Sequence, residues 1–573
     1  MSLRFGTAGV RAPVGPASNQ MNVGNVTKFT SAVAMWLAEQ AAASPTPHAR
    51  TYPQDLIKGI GDVFHDDAAP LRVAVGYDAR YGSHAFATTT AEVFAGAGFE
   101  VFLMPMPAPT QLIPWLIRKW ELDGGVQITA SHNPAADNGY KVYCHNGRQL
   151  IDASARSIEA IYDGIDDSSQ IPRVSVRPSS DLLRRYIDDA VSTIIPAQAD
   201  LLRVNSDRAN LRVAFTAMHG VGGRTLQVCL QAAGFAQVFP VRSQLYPDPT
   251  FPTVDFPNPE EPTAVAALLE HGEAVDADVL IALDPDADRC AVGIRTEHGT
   301  LRMLRGDELG PLLAARLVPN WSPEEAIPQP VVATTTVSSQ LLSVMAKDRG
   351  WLYQETPIGF KNLAAAAASA AQDGGIAYAC EEANGVAPDL HRVGDKDGVV
   401  TALVACAWAA ELKGLGLGLH SALHDLYRQY GYFTGTQIAV RTIDPAELVS
   451  DWVANPPEQD LLSQLPNYRR FADSSSAAAT RMPRSELLFE HQALNPKSKC
   501  TWRYLRPPVL NRPRNFLPNC AMRCGAEPCA FNEFSQMHTS PGGISRCCFR
   551  PRGIDKAGIL SHAQSIKVLD IKS

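Results

Sequence analysis

The chain has 573 residues, of which 45% are hydrophobic and 19% are charged, and its formal net charge is −8 at pH 7. This length exceeds what one hydrophobic core supports, so we expect about three to five domains. So mild a charge argues against nucleic acid or a membrane surface as the main partner, and no protein partner is evident. The N-terminus lacks the apolar segment of a signal peptide, and the apolar run at 398–410 is shorter than the roughly 18 residues of a spanning helix. We therefore predict a cytoplasmic protein in which this run forms a buried helix.

The sequence predicts helices and strands that alternate along the chain. Residues 22–40 indicate an amphipathic helix, because one face carries Val26, Phe29, Val33, Trp36 and Leu37. After a proline-containing loop at 41–54, apolar runs end repeatedly in polar or glycine loops: LRVAVGYDAR at 71, FEVFLMPMPAPTQ at 99, GGVQITASHN at 124, LRVAFTAMHGVGG at 211, DVLIALDPDADR at 278 and PVVATTTVSSQ at 330. Such runs indicate parallel sheets covered on both faces, with ligands at the carboxyl ends of the strands. The near-repeat LRVA suggests that one α/β unit was duplicated.

The stretch ITASHNPAADNGYKVY, residues 128–143, leads from an apolar strand into a polar loop. Ser131 could serve as a nucleophile, but no acidic residue adjoins it to form the relay that hydrolases use. The alternative is a turn rich in serine and asparagine, whose side chains bond to nearby backbone groups. This stretch by itself does not separate the two interpretations.

A second polar loop, DPDADR, follows the apolar strand DVLIAL. Asp284, Asp286 and Asp288 alternate, so in an extended loop their carboxylates can face one point, and three hard oxygen ligands suit Mg²⁺. An EF-hand is excluded because its sixth position is Arg289 instead of glycine and its twelfth is Arg295 instead of glutamate. An acidic surface turn is disfavoured by the cation beside the loop. The pattern therefore predicts a magnesium site.

The eleven cysteines fall into two groups. Five are scattered through the first 480 residues, mostly within apolar or small-residue runs, and predict reduced core thiols: Cys144, Cys229, Cys290, Cys380 and Cys406. The other six crowd between Cys500 and Cys548. A zinc site there is disfavoured, because no C-x-x-C pair occurs and the spacings do not repeat.

Several separated motifs together carry a family resemblance. In chain order they are RFGTAGVR (4–11), TASHNP (129–134), DPDADR (284–289), GDELG (306–310), TPIGFK (356–361), EEANG (381–385) and DKDG (395–398). Over roughly residues 1–470 the chain resembles the α-D-phosphohexomutases, the phosphoglucomutase/phosphomannomutase family, in its bacterial phosphomannomutase-like branch. The resemblance implies three tandem α/β domains with mixed, mostly parallel sheets around a central cleft, followed by a degraded C-terminal α+β domain.

The resemblance also implies domain boundaries. They are 1–200 with the phosphoserine loop, 201–312 with the metal loop, 313–430 with the sugar-binding loop, 431–503 as an incomplete phosphate-binding domain, and 504–573 as an anomalous tail.

The chemistry that the resemblance implies is an exchange of hexose 6-phosphate and hexose 1-phosphate, by a phosphomannomutase, a phosphoglucomutase or an enzyme acting on both. Ser131 would carry the phosphoryl group as phosphoserine, and a hexose bisphosphate would be the intermediate and activator. Mg²⁺ would bind the phosphoserine and the three aspartates. The implied catalytic partners are Arg11, His132 and Lys141. A small-molecule hexose phosphate is the implied partner.

Sugar recognition is expected in the third α/β unit. The residues implied for it are Arg289, Thr356, Gly359, Lys361, Glu382, Asn384 and Lys396. Asn384 is a mild departure, since the family often has serine at that position. Glucose and mannose phosphates differ in configuration at one carbon, and the sequence favours neither.

The fourth domain of the family grips the distal phosphate with an R-x-S-G-T-x-P-K loop, and here FEHQALNPKSKCTWRY (489–504) stands in its place. Lys497 and Lys499 match the end of the loop, but its serine, glycine and threonine are missing. Degenerate codons for residues 489–494, read from the third base, permit R-A-S-G-T, and those after Cys500 permit the strand Y-L-E-I. We hypothesise that the reading frame slips near this loop and is lost after Cys500. We then expect weak substrate binding and a leak of bisphosphate.

Two alternatives to a mutase remain at this point. A metal-dependent phosphatase would use the same nucleophile and cation but would release phosphate to water. An inactive ligand-binding remnant is favoured by the damaged distal loop.

Overall fold

A computed structural model describes residues 3–6, 8–43, 70–180, 182–196, 200–325, 327–372 and 375–433, with the backbone of four further strands. The first domain contains the elements β1 (Phe5–Gly6), β2 (Gly9–Pro13), α1 (Val23–Ala43), β3 (Arg72–Tyr77), α2 (Ser83–Gly96), β4 (Glu100–Leu103), α3 (Leu112–Trp120), β5 (Gly124–Ile128), β6 (Asp137–Cys144), α4 (Asp152–Asp163), a 3₁₀ turn (Ser168–Gln170) and α5 (Leu182–Ser192). Its six strands form one sheet in the order β1-β2-β6-β5-β3-β4. Helix α1 confirms the predicted amphipathic helix and buries the predicted face.

The second domain repeats this arrangement on a smaller scale. Its elements are α6 (Leu201–Asn210), β7 (Arg212–Thr216), α7 (Gly222–Ala232), β8 (Gln237–Pro240), a 3₁₀ turn (Arg242–Gln244), α8 (Pro262–Ala274), β9 (Val279–Leu283), β10 (Cys290–Arg295) and β11 (Leu301–Met303). The sheet order is β11-β10-β9-β7-β8. Strands β7, β8 and β9 are parallel, and β10 returns antiparallel to β9.

The third domain has a four-stranded sheet in which the third and fourth strands again form a hairpin. Its elements are α9 (Gly306–Leu317), β12 (Val331–Thr335), α10 (Leu341–Arg349), β13 (Leu352–Thr356), α11 (Phe360–Ala370), β14 (Ala377–Glu381), β15 (Gly385–Ala387), α12 (Gly398–Gly414) and α13 (Leu419–Tyr430). The sheet order is β13-β12-β14-β15. Helix α12 confirms the predicted buried helix, since most of its residues are buried.

The three domains share one structural unit, and this observation supports the proposed duplication. In each unit a central strand (β3, β7 or β12) is flanked by two parallel strands, and the last of these turns into an antiparallel neighbour. The LRVA repeats are equivalent in detail: the N–H groups of Arg72 and Arg212 each donate to an aspartate, Asp123 and Asp278, at 2.7 Å. The sheets are mixed as predicted, but antiparallel pairings are as numerous as parallel ones, because each unit closes with a hairpin.

Because the unit is repeated, the three loops that carry the predicted site residues lie at equivalent positions. The TASHNP loop connects β5 to β6, the DPDADR loop connects β9 to β10, and the EEANG motif connects β14 to β15. Each loop follows the carboxyl end of a buried parallel strand, which is where ligands bind in α/β sheets.

Beyond residue 433 the structure describes the backbone of four strands. These strands are β16 (Gly435–Arg441), β17 (Leu487–Glu490), β18 (Lys499–Leu505) and β19 (Leu569–Asp570). They form a sheet in the order β17-β18-β16-β19, with β18 antiparallel to β16 and β17. Strand β18 begins at Lys499 and crosses the predicted boundary at 503. The distal phosphate loop at 491–498, with Lys497, lies outside the described residues, as does most of the predicted tail.

Five cysteines in the first three domains are free thiols, as predicted: Cys144, Cys229, Cys290, Cys380 and Cys406. Four of them are buried and Cys144 is half-buried. Within the described ranges, no single helix is long and apolar enough to cross a membrane, and only the pair α12–α13, bent by 92°, passes on length and composition.

Candidate active site

Ser131 lies in the loop between β5 and β6 with its side chain buried. Its backbone adopts a left-handed conformation with φ of 51°, which a non-glycine residue rarely adopts. Its N–H donates to the Thr129 hydroxyl at 2.9 Å, and its own Oγ donates to Oδ2 of Asp284 at 2.9 Å. The first domain thus presents the predicted nucleophile directly to the predicted metal loop of the second.

The aspartates of the DPDADR loop converge as the sequence predicts. All three are buried, and each offers a ligand oxygen within 4.8 Å of the others. The loop is supported from behind: the Val221 N–H donates to the Pro285 carbonyl at 2.9 Å, and Gly220 lies so close that a Cβ there would meet Pro285 Cα at 2.3 Å.

The donor set fits a hard divalent cation such as Mg²⁺. Oδ1 of Asp286 and Oδ1 of Asp288 are buried, and neither has a hydrogen-bond partner among the residues that the structure describes. A buried carboxylate oxygen without a partner is costly, and a cation would satisfy both oxygens at once. The three aspartates are therefore the residues that could hold the metal.

The pKa values of Asp284 and Asp286 are shifted in opposite directions. Burial, followed by the charges of Asp286 and Asp288, raises the pKa of Asp284 well above its ordinary value. Burial would also raise the pKa of Asp286, but Lys141 and the Thr110 hydroxyl outweigh it and lower that pKa. Asp284, which accepts the Ser131 hydroxyl, therefore gives up its proton less readily than Asp286 does.

Lys141, on β6, forms ion pairs with two aspartates of the metal loop. Its Nζ lies 2.7 Å from Oδ2 of Asp286 and 2.8 Å from Oδ2 of Asp288, and the whole group is buried. Burial alone would lower the pKa of Lys141, but these two carboxylates outweigh it and raise that pKa. Lys141 is therefore held in its charged form in this structure.

We expect Lys141→Met to make the protein depend on Mg²⁺ for its stability. Removing one partner of a buried ion pair costs about 3–5 kcal/mol, because the remaining charges are left uncompensated. The melting temperature should fall in metal-free buffer and should rise on addition of Mg²⁺ by more than that of the unsubstituted protein. Lys413→Met, which breaks a part-exposed pair with Asp278, is the matched control. Equal, Mg²⁺-independent losses in the two variants would contradict this prediction.

His132 and Arg11 flank Ser131 in different ways. Nδ1 of His132 lies 3.3 Å from Ser131 Oγ, and its ring meets the ring of Phe256 edge-on at 5.6 Å. Burial, together with the nearby Arg289 and Arg11, holds the pKa of His132 well below its ordinary value, so its imidazole is neutral and can accept a proton. Arg11 contacts the residue that follows His132: its Nη1 donates to Oδ1 of Asn133 at 3.0 Å.

Lys396 connects the third domain to the metal loop. Its Nζ lies 3.5 Å from Oδ2 of Asp288 and 3.4 Å from Oδ1 of Asp395. The other oxygen of Asp395 accepts bonds from two first-domain side chains, Tyr143 at 2.9 Å and Gln149 at 2.6 Å. All three domains therefore contribute to one buried network of charges.

Glu382 and Asn384 are fixed by local contacts. Oε2 of Glu382 accepts the Thr335 hydroxyl at 2.6 Å and the Ser338 hydroxyl at 3.1 Å. Asn384 has φ of 61°, a conformation that asparagine tolerates better than most residues. Its carbonyl accepts the Cys290 N–H at 3.2 Å, which joins the predicted sugar-binding loop to the start of β10.

Of the other predicted substrate residues, Lys361, Thr356 and Gly359 lie away from Ser131, whereas Arg289 contacts Asp284, the partner of Ser131. Lys361 pairs with Asp152 of the first domain. The Thr356 hydroxyl donates to the carbonyl of Pro357 at 2.9 Å, and Gly359 starts α11 with φ of 103°. The backbone N–H of Arg289 donates to Asp284 Oδ1 at 3.2 Å, and although burial opposes it, the charges of Glu381 and Asp284 raise the pKa of Arg289.

Sequence reasoning missed three buried residues of this site. Thr110 donates to Oδ2 of Asp286 at 2.7 Å, and Arg80 contacts the loop of Ser131. Burial raises the pKa of Glu381 to about 7, partly opposed by Lys396 and Arg289. Their position in the sequence could have identified two of these residues. Arg80 and Thr110 lie in polar loops that follow β3 and β4, at the same edge of the sheet as Ser131.

The repeated unit, the buried serine and the aspartate cluster define a class of phosphoryl-transfer enzyme. The matching family models are phosphoglucomutase/phosphomannomutase alpha/beta/alpha domains I, II and III, over residues 48–169, 184–298 and 305–430. The probable phosphomannomutase of Haemophilus influenzae is 34% identical over 393 residues, which cover 68% of this chain and 78% of that protein. The phosphopentomutase of Mus musculus is 32% identical over 449 residues, covering 76% and 68%.

A solved phosphoglucomutase/phosphomannomutase family protein from Burkholderia thailandensis has the same fold, with a TM-score of 0.60 at 16% identity over 89% of this chain and 94% of that one. The chain belongs to the phosphoglucomutase/phosphomannomutase family, the α-D-phosphohexomutases. It is a mutase, an isomerase that acts by transferring a phosphoryl group.

Proposed function

We propose that Ser131 carries the phosphoryl group that this enzyme moves between two positions of a sugar phosphate. The observation that supports this role is the direct bond of 2.9 Å from Ser131 Oγ to Asp284, inside a buried cluster of three aspartates. In the resting enzyme Ser131 would be phosphoserine. Its P–Oγ bond breaks while a bond forms from phosphorus to a sugar hydroxyl, and the resulting sugar bisphosphate then returns its other phosphoryl group to Ser131.

The residues around Ser131 have separate tasks in this proposal. Neutral His132 accepts the proton of the attacking hydroxyl: its Nδ1 lies 3.3 Å from Ser131 Oγ, and its depressed pKa leaves the imidazole unprotonated, though a weaker base than an ordinary histidine. Lys141, Lys396 and Arg289 supply positive charge, and Arg11 holds Asn133 beside the nucleophile. Mg²⁺ held by Asp284, Asp286 and Asp288 would neutralise charge on the transferring phosphoryl oxygens. Positioning and charge carry most of the catalysis in phosphoryl transfer.

We propose that Glu382 binds the sugar hydroxyls, and that the surrounding part of the sugar site is formed by Asn384, Thr356, Gly359 and Lys361. A carboxylate held by two hydroxyls is oriented before substrate arrives, which favours recognition of hydroxyl geometry. The curated relatives are named for both hexose and pentose phosphates, so the substrate class we propose is an aldose phosphate of five or six carbons. The cytoplasmic location stays a prediction from the sequence.

The proposal is tested by following both products of one reaction mixture. Glucose 1-phosphate, mannose 1-phosphate and ribose 1-phosphate are each supplied with Mg²⁺ and a catalytic amount of the matching bisphosphate. We expect isomerised sugar phosphate to exceed free phosphate by at least about 100-fold for the preferred sugar, since Ser131 and the three aspartates are buried away from water. Free phosphate as the main product would instead identify a phosphatase. Intact-mass analysis of the same sample reports phosphoserine and the C-terminus that the frame hypothesis concerns.

A further inference from the structure

Arg80, just beyond β3, contacts the Ser131 loop more extensively than any predicted site residue. Its Nη2 donates to the carbonyls of Ser131 at 2.5 Å and Asn133 at 2.6 Å. Its Nη1 donates to the carbonyls of Pro134 at 2.8 Å and Asp137 at 3.1 Å. One guanidinium therefore binds three carbonyl groups of the loop that connects β5 to β6 and the carbonyl of Asp137, the first residue of β6.

The guanidinium is itself enclosed and oriented. Its Nε lies 3.3 Å from Oδ2 of Asp78, whose other oxygen accepts the Ser83 hydroxyl at 2.6 Å. The ring of Phe251, from the second domain, covers its face at 5.0 Å. Only 4% of Arg80 is exposed, so its bonds act in a dry environment where each is stronger than in water.

These contacts offset a specific backbone cost. Residues held in the left-handed region cost about 1 kcal/mol or more and persist only where the surroundings impose them. Ser131 is such a residue, and the carbonyl that Arg80 binds most closely belongs to Ser131 itself. Because the loop directs Ser131 Oγ at Asp284, a change in its backbone would move the oxygen that is to carry the phosphoryl group.

We propose that Arg80 is the positioning residue of the nucleophile: it fixes the Ser131 loop by binding three of its carbonyls and the carbonyl of Asp137, where β6 begins, so that the Ser131 oxygen points at the aspartate cluster. Arg80 does not touch the transferring group and acts through the loop alone. This inference rests on the proposed function of Ser131. It also gives Phe251 a role, since the ring of this second-domain residue covers the Arg80 guanidinium.

The test compares two buried arginines of the same strand region. Arg80→Met and Arg72→Met each remove a guanidinium, but Arg72, at the opposite end of β3, donates to the carbonyl of Glu121 at 3.1 Å, remote from Ser131. Both variants should lose stability. Arg80→Met should lower kcat by about 100-fold with KM changed less than about threefold, since misplacement by about 1 Å costs this much. Arg72→Met should keep kcat within about twofold at a temperature where both are folded.

Arg80→Lys keeps the test valid if Arg80→Met does not fold. A lysine keeps the charge, but its ammonium has three donors and no planar fork, so it cannot bind four carbonyls. We expect kcat to fall at least about tenfold, and single-turnover transfer from phosphoserine to fall with it, while the phosphorylated fraction by intact mass stays unchanged. Normal kcat in Arg80→Lys, or equal kcat losses in Arg80→Met and Arg72→Met, would refute the role of Arg80. Turnover retained by Ser131→Ala would instead refute the proposed function.

Discussion

Ser131→Ala is expected to lower turnover at least about 10⁴-fold on every sugar phosphate tested, because the atom that forms the covalent intermediate is removed. The Michaelis constant of any residual activity should change little, since Ser131 makes no predicted contact with the sugar. The expected loss of stability is about 1–2 kcal/mol, because the bond to Asp284 and the longer contact with His132 Nδ1 are both lost.

Thr30→Val is the matched control for this variant. It also removes one buried hydroxyl from the first domain, where Thr30 donates to the carbonyl of Val26 on α1 at 2.8 Å, and it should keep full activity. Activity is measured by conversion of sugar 1-phosphate to sugar 6-phosphate, or 5-phosphate for a pentose, and phosphorylation by intact mass. A phosphorylated and active Ser131→Ala protein would exclude Ser131 as the carrier.

Asp286→Asn is expected to lower kcat by about 10²–10³-fold and to raise the Mg²⁺ concentration for half-maximal activity. The substitution removes a charge that stabilises the transition state and one ligand of the metal. It also removes the partner of Lys141, whose Nζ then keeps Asp288 alone at short distance. The measurement is kcat as a function of Mg²⁺, together with the Mg²⁺-dependent shift in melting temperature.

Asp278→Asn controls for the loss of a carboxylate from the second domain. Asp278 directly precedes β9, and the metal loop directly follows β9, so the two substitutions alter opposite ends of one strand. Asp278 accepts the N–H of Arg212 at 2.7 Å and pairs with Lys413, and its replacement should affect stability without altering Mg²⁺ dependence. If Asp286→Asn keeps the Mg²⁺ dependence of the unsubstituted enzyme, the cation binds elsewhere.

The order of motifs in the chain was enough to predict the family, the α/β class and the metal loop. Asp284, Asp286 and Asp288 were predictable as a set because their alternation is local. The expected extended loop was wrong: the segment is a turn in which the Ala287 N–H donates to the Asp284 carbonyl at 2.9 Å and Ala287 has φ of 60°. Helices α1 and α12 were predictable for the same reason, since their apolar patterns lie within one element.

The partners of these residues depended on contacts between distant parts of the chain. Nothing near Lys141 in sequence indicates that it neutralises Asp286. The two residues meet only because β6 of the first domain packs against the metal loop of the second domain. Arg80 was overlooked because its function lies in the four carbonyls it binds, and backbone carbonyls have no sequence signature.

The sequence by itself determined which chemistry the protein carries, because a strand end, an alternating carboxylate loop and a serine are local features that fold the same way in many contexts. The tertiary structure alone decided that Ser131 is left-handed, that Lys396 reaches the metal loop from the third domain, and that His132 is neutral. These properties arise from burial and from charges far apart in the chain. Burial and distance exist only once the three repeated units have packed together.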